Sequence, residues 1–277
     1  MADKDKEMRA EVMKENFKNI KHKILILSGK GGVGKSTVSV NIAYSLMKRG
    51  FKTGILDIDL HGPSVAKMTG TERMRLENDE TGLLKPILTP DGMKVVSISS
   101  MLEKSDSPVI WRGPLKMKAI QEFFESFNWG ELDYLIIDSP PGTGDEPLTV
   151  LQIVDSLDGV IIVTTPQDVA SSDVSRSISF VNALGKRIIG IVENMSFFKC
   201  TKCGETHFLF GEGGAKKLAE KYNLDVIGII PIDKQIMVHS DAGTPFVITE
   251  KDSEGAKEYM KIAEEIIKKT GGANGAD

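Results

Sequence analysis

The sequence predicts one doubly wound α/β domain, with a mostly parallel sheet covered by helices on both faces. Seven short segments are almost continuously apolar, which is typical of strands buried on both faces of a parallel sheet. Amphipathic helical stretches separate most of these segments, as the crossovers between parallel strands require. A glycine-rich motif also lies between the first apolar segment and the first helical stretch, where such domains bind phosphate groups.

The elements alternate along the chain. The predicted strands cover residues 23–27, 53–57, 95–97, 134–138, 159–164, 187–193 and 225–230. The predicted helices cover residues 36–49, 115–127, 169–184, 213–222 and 255–269. The less periodic stretch 61–94 predicts an excursion from the sheet rather than a second domain. We therefore expect a helical arm over residues 1–22, one domain over 23–270 and a mobile tail over 271–277.

Composition and charge exclude several classes of protein. Of the 277 residues, 40% are hydrophobic and 27% are charged, which is ordinary for a globular chain and unlike a disordered one. The 35 basic and 39 acidic residues leave a net charge of −4, so we expect neither a nucleic-acid nor a membrane partner. The first residues, MADKDKEMRAEVMKEN, contain no hydrophobic signal core. We therefore expect a cytoplasmic protein.

A phosphate-binding loop is predicted at the end of the first strand. Glycines permit positive φ and let backbone N–H groups surround phosphate oxygens, and the following helix adds a favourable dipole. Lys35 is expected to contact the β- and γ-phosphates, and Ser36 to give its hydroxyl to Mg²⁺. The G-x4-G-K-[ST] pattern is formed by Gly29, Lys30, Gly31, Gly32, Val33, Gly34, Lys35, Ser36 and Thr37.

Three aspartates at strand ends predict the rest of a phosphoryl-transfer site. Asp138 ends an apolar strand, and we expect it to hold Mg²⁺ through water, with Gly142 placed to sense the γ-phosphate. Asp57 and Asp59 close the second strand. We assign Asp57 to the metal shell and Asp59 to orienting the attacking water. In unrelated folds such aspartates often only cap turns, and this alternative stays open.

The base of the nucleotide is predicted to be adenine. GTPases of related build commonly read guanine with an Asn/Thr-Lys-x-Asp segment, and the sequence contains no such segment. Asn194 follows a predicted strand, and its amide can pair with the adenine edge. ATP is therefore favoured over GTP.

The two cysteines, Cys200 and Cys203, lie three positions apart. A disulfide framework needs several cysteines spread along a short secreted chain, so this pair indicates a metal, a cluster or redox exchange. Two thiolates are half of the usual ligand set of a tetrahedral metal or an iron-sulfur cluster. Structural zinc stays open, bound either with His207 or by four thiolates across a dimer, and so does a redox pair.

Lys30 lies inside the loop, directly after its first glycine. From there it is better placed to reach a nucleotide on another subunit than its own phosphates; a solvated loop lysine is the alternative. The run GKGGVGKST resembles the deviant Walker A motif of the MinD/Mrp/nitrogenase-reductase class of P-loop ATPases. The resemblance implies that Lys30 contacts the partner's phosphates in a nucleotide sandwich dimer. Pro231 and Asp233 resemble the second adenine-side loop of that class.

The cysteine segment resembles the Mrp/ApbC family closely. The matching residues are 192–198, Cys200-Thr201-Lys202-Cys203-Gly204, His207 and 210–214, with further matches at 56–64, 111–114, Lys116 and 138–145. Members of this family are cytosolic P-loop ATPases that assemble or carry iron-sulfur clusters. The resemblance implies catalytic roles for Lys30, Lys35 and Asp59, and a 4Fe-4S cluster held by Cys200 and Cys203 across a homodimer. It also implies apo iron-sulfur proteins as recipients and allows a cluster scaffold as donor.

Two other functions stay open at this point. A MinD/ParA-like positioning ATPase would use the cysteines as a zinc clip and would need a strongly basic or apolar docking surface. An electron-donating reductase like the nitrogenase iron protein would usually carry its two cluster cysteines on different segments, whereas here both lie in one loop. The sequence therefore favours a slow ATPase that carries a cluster.

Overall fold

The computed structural model describes residues 17–60, 62–101, 113–154 and 156–272. Its central sheet has eight strands in the order β10-β7-β6-β1-β5-β2-β4-β3. Neighbouring strands are parallel except for β3, which runs antiparallel to β4. The prediction of a doubly wound, mostly parallel sheet is confirmed.

The strands of this sheet, and a separate two-stranded hairpin, fall between helices along most of the described chain. The strands are β1 Ile20–Ser28, β2 Thr53–Asp57, β3 Ile87–Leu88, β4 Lys94–Ser97, β5 Leu132–Asp138, β6 Gly159–Thr164, β7 Ile188–Glu193, β8 Phe198–Lys199, β9 Thr206–His207 and β10 Val226–Ile229. The helices are α1 Lys35–Lys48, α2 Val65–Met68, α3 Gly113–Glu125, α4 Asp145–Ile153, α5 Asp168–Ala183, α6 Gly214–Tyr222, α7 Lys234–Ala242, α8 Phe246–Thr249 and α9 Glu254–Thr270, with a 3₁₀ turn at Ile98–Met101.

Two apolar cores cover the two faces of the sheet. On one face, α1, α8 and α9 pack against the strands, with residues such as Ile42, Phe246 and Ile262 buried. On the other face, α3, α4, α5 and α6 do so, with residues such as Phe123 and Ile178 buried. Burial on both faces explains why the strands are almost continuously apolar.

The first strand begins earlier than the sequence predicted. β1 starts at Ile20, so residues 20–22 belong to the sheet and the predicted helical arm over 1–22 is wrong at its end; residues 1–16 lie outside the described part. Ile20 is buried and pairs with Leu132 of β5. Polar residues obscured this strand: the ammonium of Lys23, itself buried, donates to the Ile20 carbonyl at 2.7 Å. Of the predicted tail over 271–277, only residues 271 and 272 are described.

Three features that matter below had no prediction: helices α4 and α7, and the β8-β9 hairpin. In addition, β1, β2, β5 and β7 are parallel members of one sheet, so their carboxyl ends meet at one edge. This edge brings the predicted site residues together. Within the part of the chain that the structure describes, no helix is both long and apolar enough to span a membrane.

Candidate functional site

The phosphate loop connects β1 to α1, as predicted. Gly32 and Gly34 both have φ of 79°, in the left-handed region that glycine tolerates best. The loop is also tightly packed: a Cβ on Gly29 would lie 2.6 Å from the backbone of Asp173, and one on Gly34 would lie 2.2 Å from Nδ2 of Asn194. Conformation thus favours glycine at position 32, close packing requires it at position 29, and both apply at position 34.

A cavity of about 240 Å³ opens above this loop. Its lining joins loop residues 30–37 to Asp59, Gly62 and Pro141, which come from the ends of other strands and from the segments that follow them. Asp59 also lines a neighbouring cavity of about 390 Å³ together with Glu146 of α4. One Oδ of Asp59 accepts a hydrogen bond from the Gly62 N–H at 3.2 Å. The strand ends therefore place Asp59 beside the phosphate loop.

Asp138 is the centre of the hydrogen-bond network below the loop. It is fully buried at the end of β5. Its carboxylate accepts hydrogen bonds from Lys35 Nζ at 2.7 Å and from the hydroxyls of Ser36 and Ser39, both at 2.6 Å. Three donors, one of them charged, compensate the burial of this carboxylate.

Asp57 lies beside Asp138, because β2 and β5 pair in register at these two residues. Its carboxylate accepts hydrogen bonds from the backbone N–H groups of Asp59 and Val65 and from the Ser97 hydroxyl. Burial, and then the nearby Asp138, raise the pKa of Asp57 to about 7. Both of its oxygens thus already bond to the protein, and its assignment to the metal shell stays a prediction.

Two other predicted residues have partners that the sequence did not indicate. Lys30 Nζ donates to Oε1 of Gln167 at 3.1 Å, and Gln167 lies just before α5. The N–H of Gly142, which has φ of 91°, donates to the Ser28 carbonyl at 2.8 Å. Gly142 would have to break this bond to respond to a γ-phosphate.

The residues predicted to contact adenine lie on two adjacent connections. Asn194 directly follows β7, and its Nδ2 donates to the Val33 carbonyl of the phosphate loop at 2.9 Å. Pro231 is buried after β10, and Asp233 caps α7 by accepting from the Gln235 N–H at 2.8 Å. Asn194 therefore contacts the loop directly, whereas the carboxylate of Asp233 has a local structural role.

Sequence reasoning missed Ser39 and Gln167. Ser39 lies three residues after Ser36, so the two hydroxyls share one face of α1. This spacing could have predicted that Ser39 lies at the same site as Ser36. Gln167 is 137 positions from Lys30 along the chain, and no local pattern relates the two residues.

The cysteines lie on the β8-β9 hairpin, which follows β7. The Cys200 N–H donates to the Glu205 carbonyl, and the Gly204 N–H donates to the Cys200 carbonyl, so the turn is closed by backbone bonds at 2.8 and 2.9 Å. Cys203 is exposed and Cys200 is partly exposed. The backbone N–H groups of Cys203 and Lys202 lower the pKa of Cys200, which favours its thiolate form.

One chain does not supply a complete metal site around these thiols. Among residues 17–60, 62–101, 113–154 and 156–272, no group of three or more His, Cys, Asp or Glu side chains could hold a metal ion. The ring of His207 stacks on Phe198, with centroids 6.4 Å apart. The single-chain zinc site of Cys200, Cys203 and His207 is therefore not formed.

Fold and site together define a P-loop nucleoside triphosphatase of the doubly wound type. The matching family model is described as ParA, NUBPL iron-transfer P-loop NTPase, and it covers residues 19–267. The chain belongs to this family.

Known proteins of this kind resemble the chain over most of its length. It is 49% identical over 252 residues to the iron-sulfur cluster carrier protein of Saccharolobus solfataricus, covering 91% of this chain and 85% of that protein. A nucleotide-binding protein from Archaeoglobus fulgidus, solved in complex with ADP, superimposes with a TM-score of 0.78 at 40% identity, covering 91% of this chain and 96% of that one. The cell division ATPase MinD of Pyrococcus furiosus has a TM-score of 0.65 at 24% identity over 90% of this chain and 99% of its own, and shares the fold.

Proposed function

We propose that this protein is an ATP-dependent iron-sulfur cluster carrier that acts as a homodimer and passes its cluster to apo-proteins. One observation carries the proposal. The hairpin with both thiols follows β7, and the residue directly after that strand, Asn194, bonds to the phosphate loop. A cluster site and a nucleotide site thus share one short stretch of chain. The relative from Saccharolobus solfataricus, an iron-sulfur cluster carrier protein, supports this proposal.

The loop offers the glycines, the lysine and the helix N-terminus that suit the phosphates of ATP, and the donor set around it suits Mg²⁺. The Ser36 hydroxyl and the Asp138 carboxylate lie 2.6 Å apart, and oxygen ligands are those that Mg²⁺ prefers. Ser36 would bind the ion directly and Asp138 through water. When bound, Mg²⁺ neutralises charge on the phosphates.

Three side chains would serve the hydrolysis. The ammonium group of Lys35 would leave Asp138 and bind the β- and γ-phosphates. Asp59 would orient the attacking water. Lys30 of each subunit reaches the phosphates bound by the other, which requires it to leave Gln167. Slow turnover suits a carrier, because each hydrolysis event would accompany one cluster delivery.

The cluster is the cargo of this protein, and a second copy would complete its ligand set. A 4Fe-4S cluster usually takes four thiolates, and each chain offers Cys200 and Cys203. A two-fold axis near the hairpins brings both pairs together. A cluster held by exposed residues at such an interface is easily released to a recipient.

The positioning ATPase is the less supported function. MinD of Pyrococcus furiosus shares 24% identity, which supports only a common fold, whereas the Saccharolobus solfataricus carrier is twice as similar in sequence. We therefore do not adopt that alternative. Zinc bound by four thiolates across a dimer stays an outcome of the test below.

The test is anaerobic reconstitution with iron and sulfide of the wild type and of a Cys200→Ala/Cys203→Ala variant. Metal content is measured first, and transfer of the cluster to an apo-enzyme is then followed by the recovered activity of that enzyme. A Lys52→Ala variant is the control, since this lysine is exposed and lies just before β2, at the end of the parallel strands opposite to the one that carries both sites.

We expect iron and sulfide in the wild type and in the control, cluster transfer from both, and loss of iron in the double variant. Equal iron uptake by all three proteins would contradict the proposal. So would a wild type that retains zinc alone.

A further inference from the structure

A buried carboxylate lies at the base of the cysteine hairpin. Glu193 ends β7 and is only 3% exposed. Its Oε1 accepts a hydrogen bond from the Ser196 hydroxyl at 2.6 Å, and its Oε2 accepts one from the Ala215 N–H at 2.7 Å. We call residues 197–214 the cluster segment, because they contain both cysteines. Ser196 precedes this segment and Ala215 follows it, so one carboxylate bonds to both of its ends.

The surroundings of Glu193 suit a negative charge. Ala215 lies in the first turn of α6, where backbone N–H groups lack helical partners and the helix dipole attracts an anion. A buried carboxylate must be compensated by hydrogen bonds, and those to a charged acceptor are strong. Loss of either hydrogen bond would leave one buried oxygen of Glu193 poorly compensated, which costs free energy. The carboxylate therefore holds the two ends of the cluster segment in place.

The same strand end contacts the phosphate loop. Asn194 follows Glu193, and successive residues of an extended chain project to opposite faces. Glu193 accordingly bonds to α6 on one face, and Asn194 bonds to the Val33 carbonyl on the other. The Asn194 N–H donates to the Thr164 carbonyl at 2.8 Å, which anchors this stretch on β6. If the phosphate loop moves at Val33, Asn194 would therefore transmit the displacement to Glu193, the residue before it.

The far end of the cluster segment contacts a second element of the nucleotide site. A Cβ on Gly214 would lie 2.6 Å from the Pro166 carbonyl oxygen, so the two backbones are in close contact. The residue after Pro166 is Gln167, the partner of Lys30. One end of the segment thus follows Asn194 closely, and the other end packs against the residue before Gln167; Asn194 and Gln167 both bond to the phosphate loop.

We propose that Glu193 is a positioning residue, which fastens both ends of the cluster segment to the end of β7 and makes the exposure of the cysteines depend on nucleotide. The inference rests on the proposed function, since it assumes that nucleotide binds at Gly29 to Thr37 and cluster at Cys200 and Cys203. It adds the residue that joins the two sites.

The test measures alkylation of the two cysteines in the metal-free, reduced protein, with and without a non-hydrolysable ATP analogue and Mg²⁺. Glu193→Ala removes both hydrogen bonds. Glu193→Gln keeps them, because its amide oxygen can accept from Ala215 while its NH₂ group donates to the Ser196 hydroxyl. Ser196→Ala removes only the bond before the segment.

Asp158→Ala is the matched control. The Asp158 carboxylate also joins two segments through two hydrogen bonds, from the Lys23 N–H at 2.8 Å and with His22 Nδ1 at 2.9 Å, but it lies just before β6, at the opposite edge of the sheet. The Asp158→Ala variant therefore shows how far a general loss of stability alone changes the rate of cysteine alkylation.

In the wild type we expect nucleotide to change the alkylation rate. In Glu193→Ala, Cys200, the less exposed of the two thiols, should be alkylated about tenfold faster, as expected for loss of a buried hydrogen-bonded partner, and its rate should no longer respond to nucleotide. Ser196→Ala should fall between it and the wild type, while Glu193→Gln and Asp158→Ala keep the wild-type response.

Two results would overturn the inference: a wild-type rate that nucleotide does not change, or a Glu193→Ala variant with the wild-type response. Failure of the proposed function is distinguishable from both. If the wild type takes up no iron on reconstitution while its alkylation follows the pattern above, the carrier function falls and the role of Glu193 stands.

Discussion

The phosphate loop and the cysteine hairpin lie on the same polypeptide and differ in almost every physical respect. Lys35 and Asp138 are 6% and 0% exposed, and they form a network with Ser36 and Ser39. In the segment that follows the cysteines, Phe208 and Leu209 are 45% and 61% exposed. One site is assembled by the core of a single chain, and the other projects from it.

This difference separates two ways of building a site. The nucleotide site is formed within one chain, since Lys35, Ser36 and Asp138 are already joined by hydrogen bonds at the base of the phosphate loop. The cysteine site offers two thiols in one chain, and under our proposal a second chain completes its ligand set. Substitutions in the first should therefore alter chemistry, and those near the second should alter assembly and release.

Lys35→Ala should have the largest effect. It removes the cation that neutralises both the buried Asp138 and the phosphates, so ATP hydrolysis should fall at least about 100-fold. Cluster loading should persist, because the cysteines lie elsewhere. Phosphate release and iron content measure the two effects, with Lys52→Ala as control. An equal loss of ATP hydrolysis and of cluster loading would mean that the nucleotide site and the cysteine site do not work independently.

Lys30→Ala should lower ATP hydrolysis about tenfold or more while the protein still binds ATP, because a charge that acts from the partner subunit is lost. Mixing this variant with a second one tests whether Lys30 acts on the nucleotide site of the partner subunit. In a 1:1 mixture of Lys30→Ala and Lys35→Ala proteins, half of the dimers are mixed and each holds one competent site, so about a quarter of wild-type activity should return. No recovery after subunit exchange would mean that Lys30 acts within its own chain.

Gly34→Ala should destabilise the fold more than Gly50→Ala. Both glycines have positive φ, but a Cβ at position 50 meets nothing within 4 Å, whereas one at position 34 would lie 2.2 Å from Asn194 Nδ2. We expect losses of about 3 and about 1 kcal/mol respectively in the free energy of unfolding. Urea denaturation measures both, and equal losses would indicate that Asn194 moves away without cost.

Lys199→Ala should have the smallest effect. Its ion pair with Glu254 joins the hairpin to α9 at 3.7 Å, but both side chains are more than half exposed, at 57% and 55%. Such pairs contribute below about 0.5 kcal/mol. A larger loss in the same denaturation assay would mean that the hairpin is held more rigidly than its exposure indicates.

Local sequence predicted those features that depend on local physics. The strands β2 and β6 have the predicted bounds, since five or six continuous buried residues are unambiguous. The start of β1 was missed because Lys21 and His22 interrupt its apolar pattern before the predicted strand at 23–27. The two-residue strands of the cysteine hairpin are too short to have any period.

The candidate site divides in the same way. The phosphate loop and the cysteine pair are visible as contiguous motifs. The pairing of Asp57 with Asp138 depends on strand order, and the contacts Lys30 to Gln167 and Glu193 to Ala215 join residues that only the folded chain brings together.

Native mass spectrometry of the anaerobically reconstituted protein tests most directly whether two chains hold one cluster. We expect a dimer with one iron-sulfur cluster, and a Cys200→Ala/Cys203→Ala protein without it. A cluster carried by the monomer, or a dimer that contains only zinc, would contradict the claim that two copies of the hairpin form one cluster site.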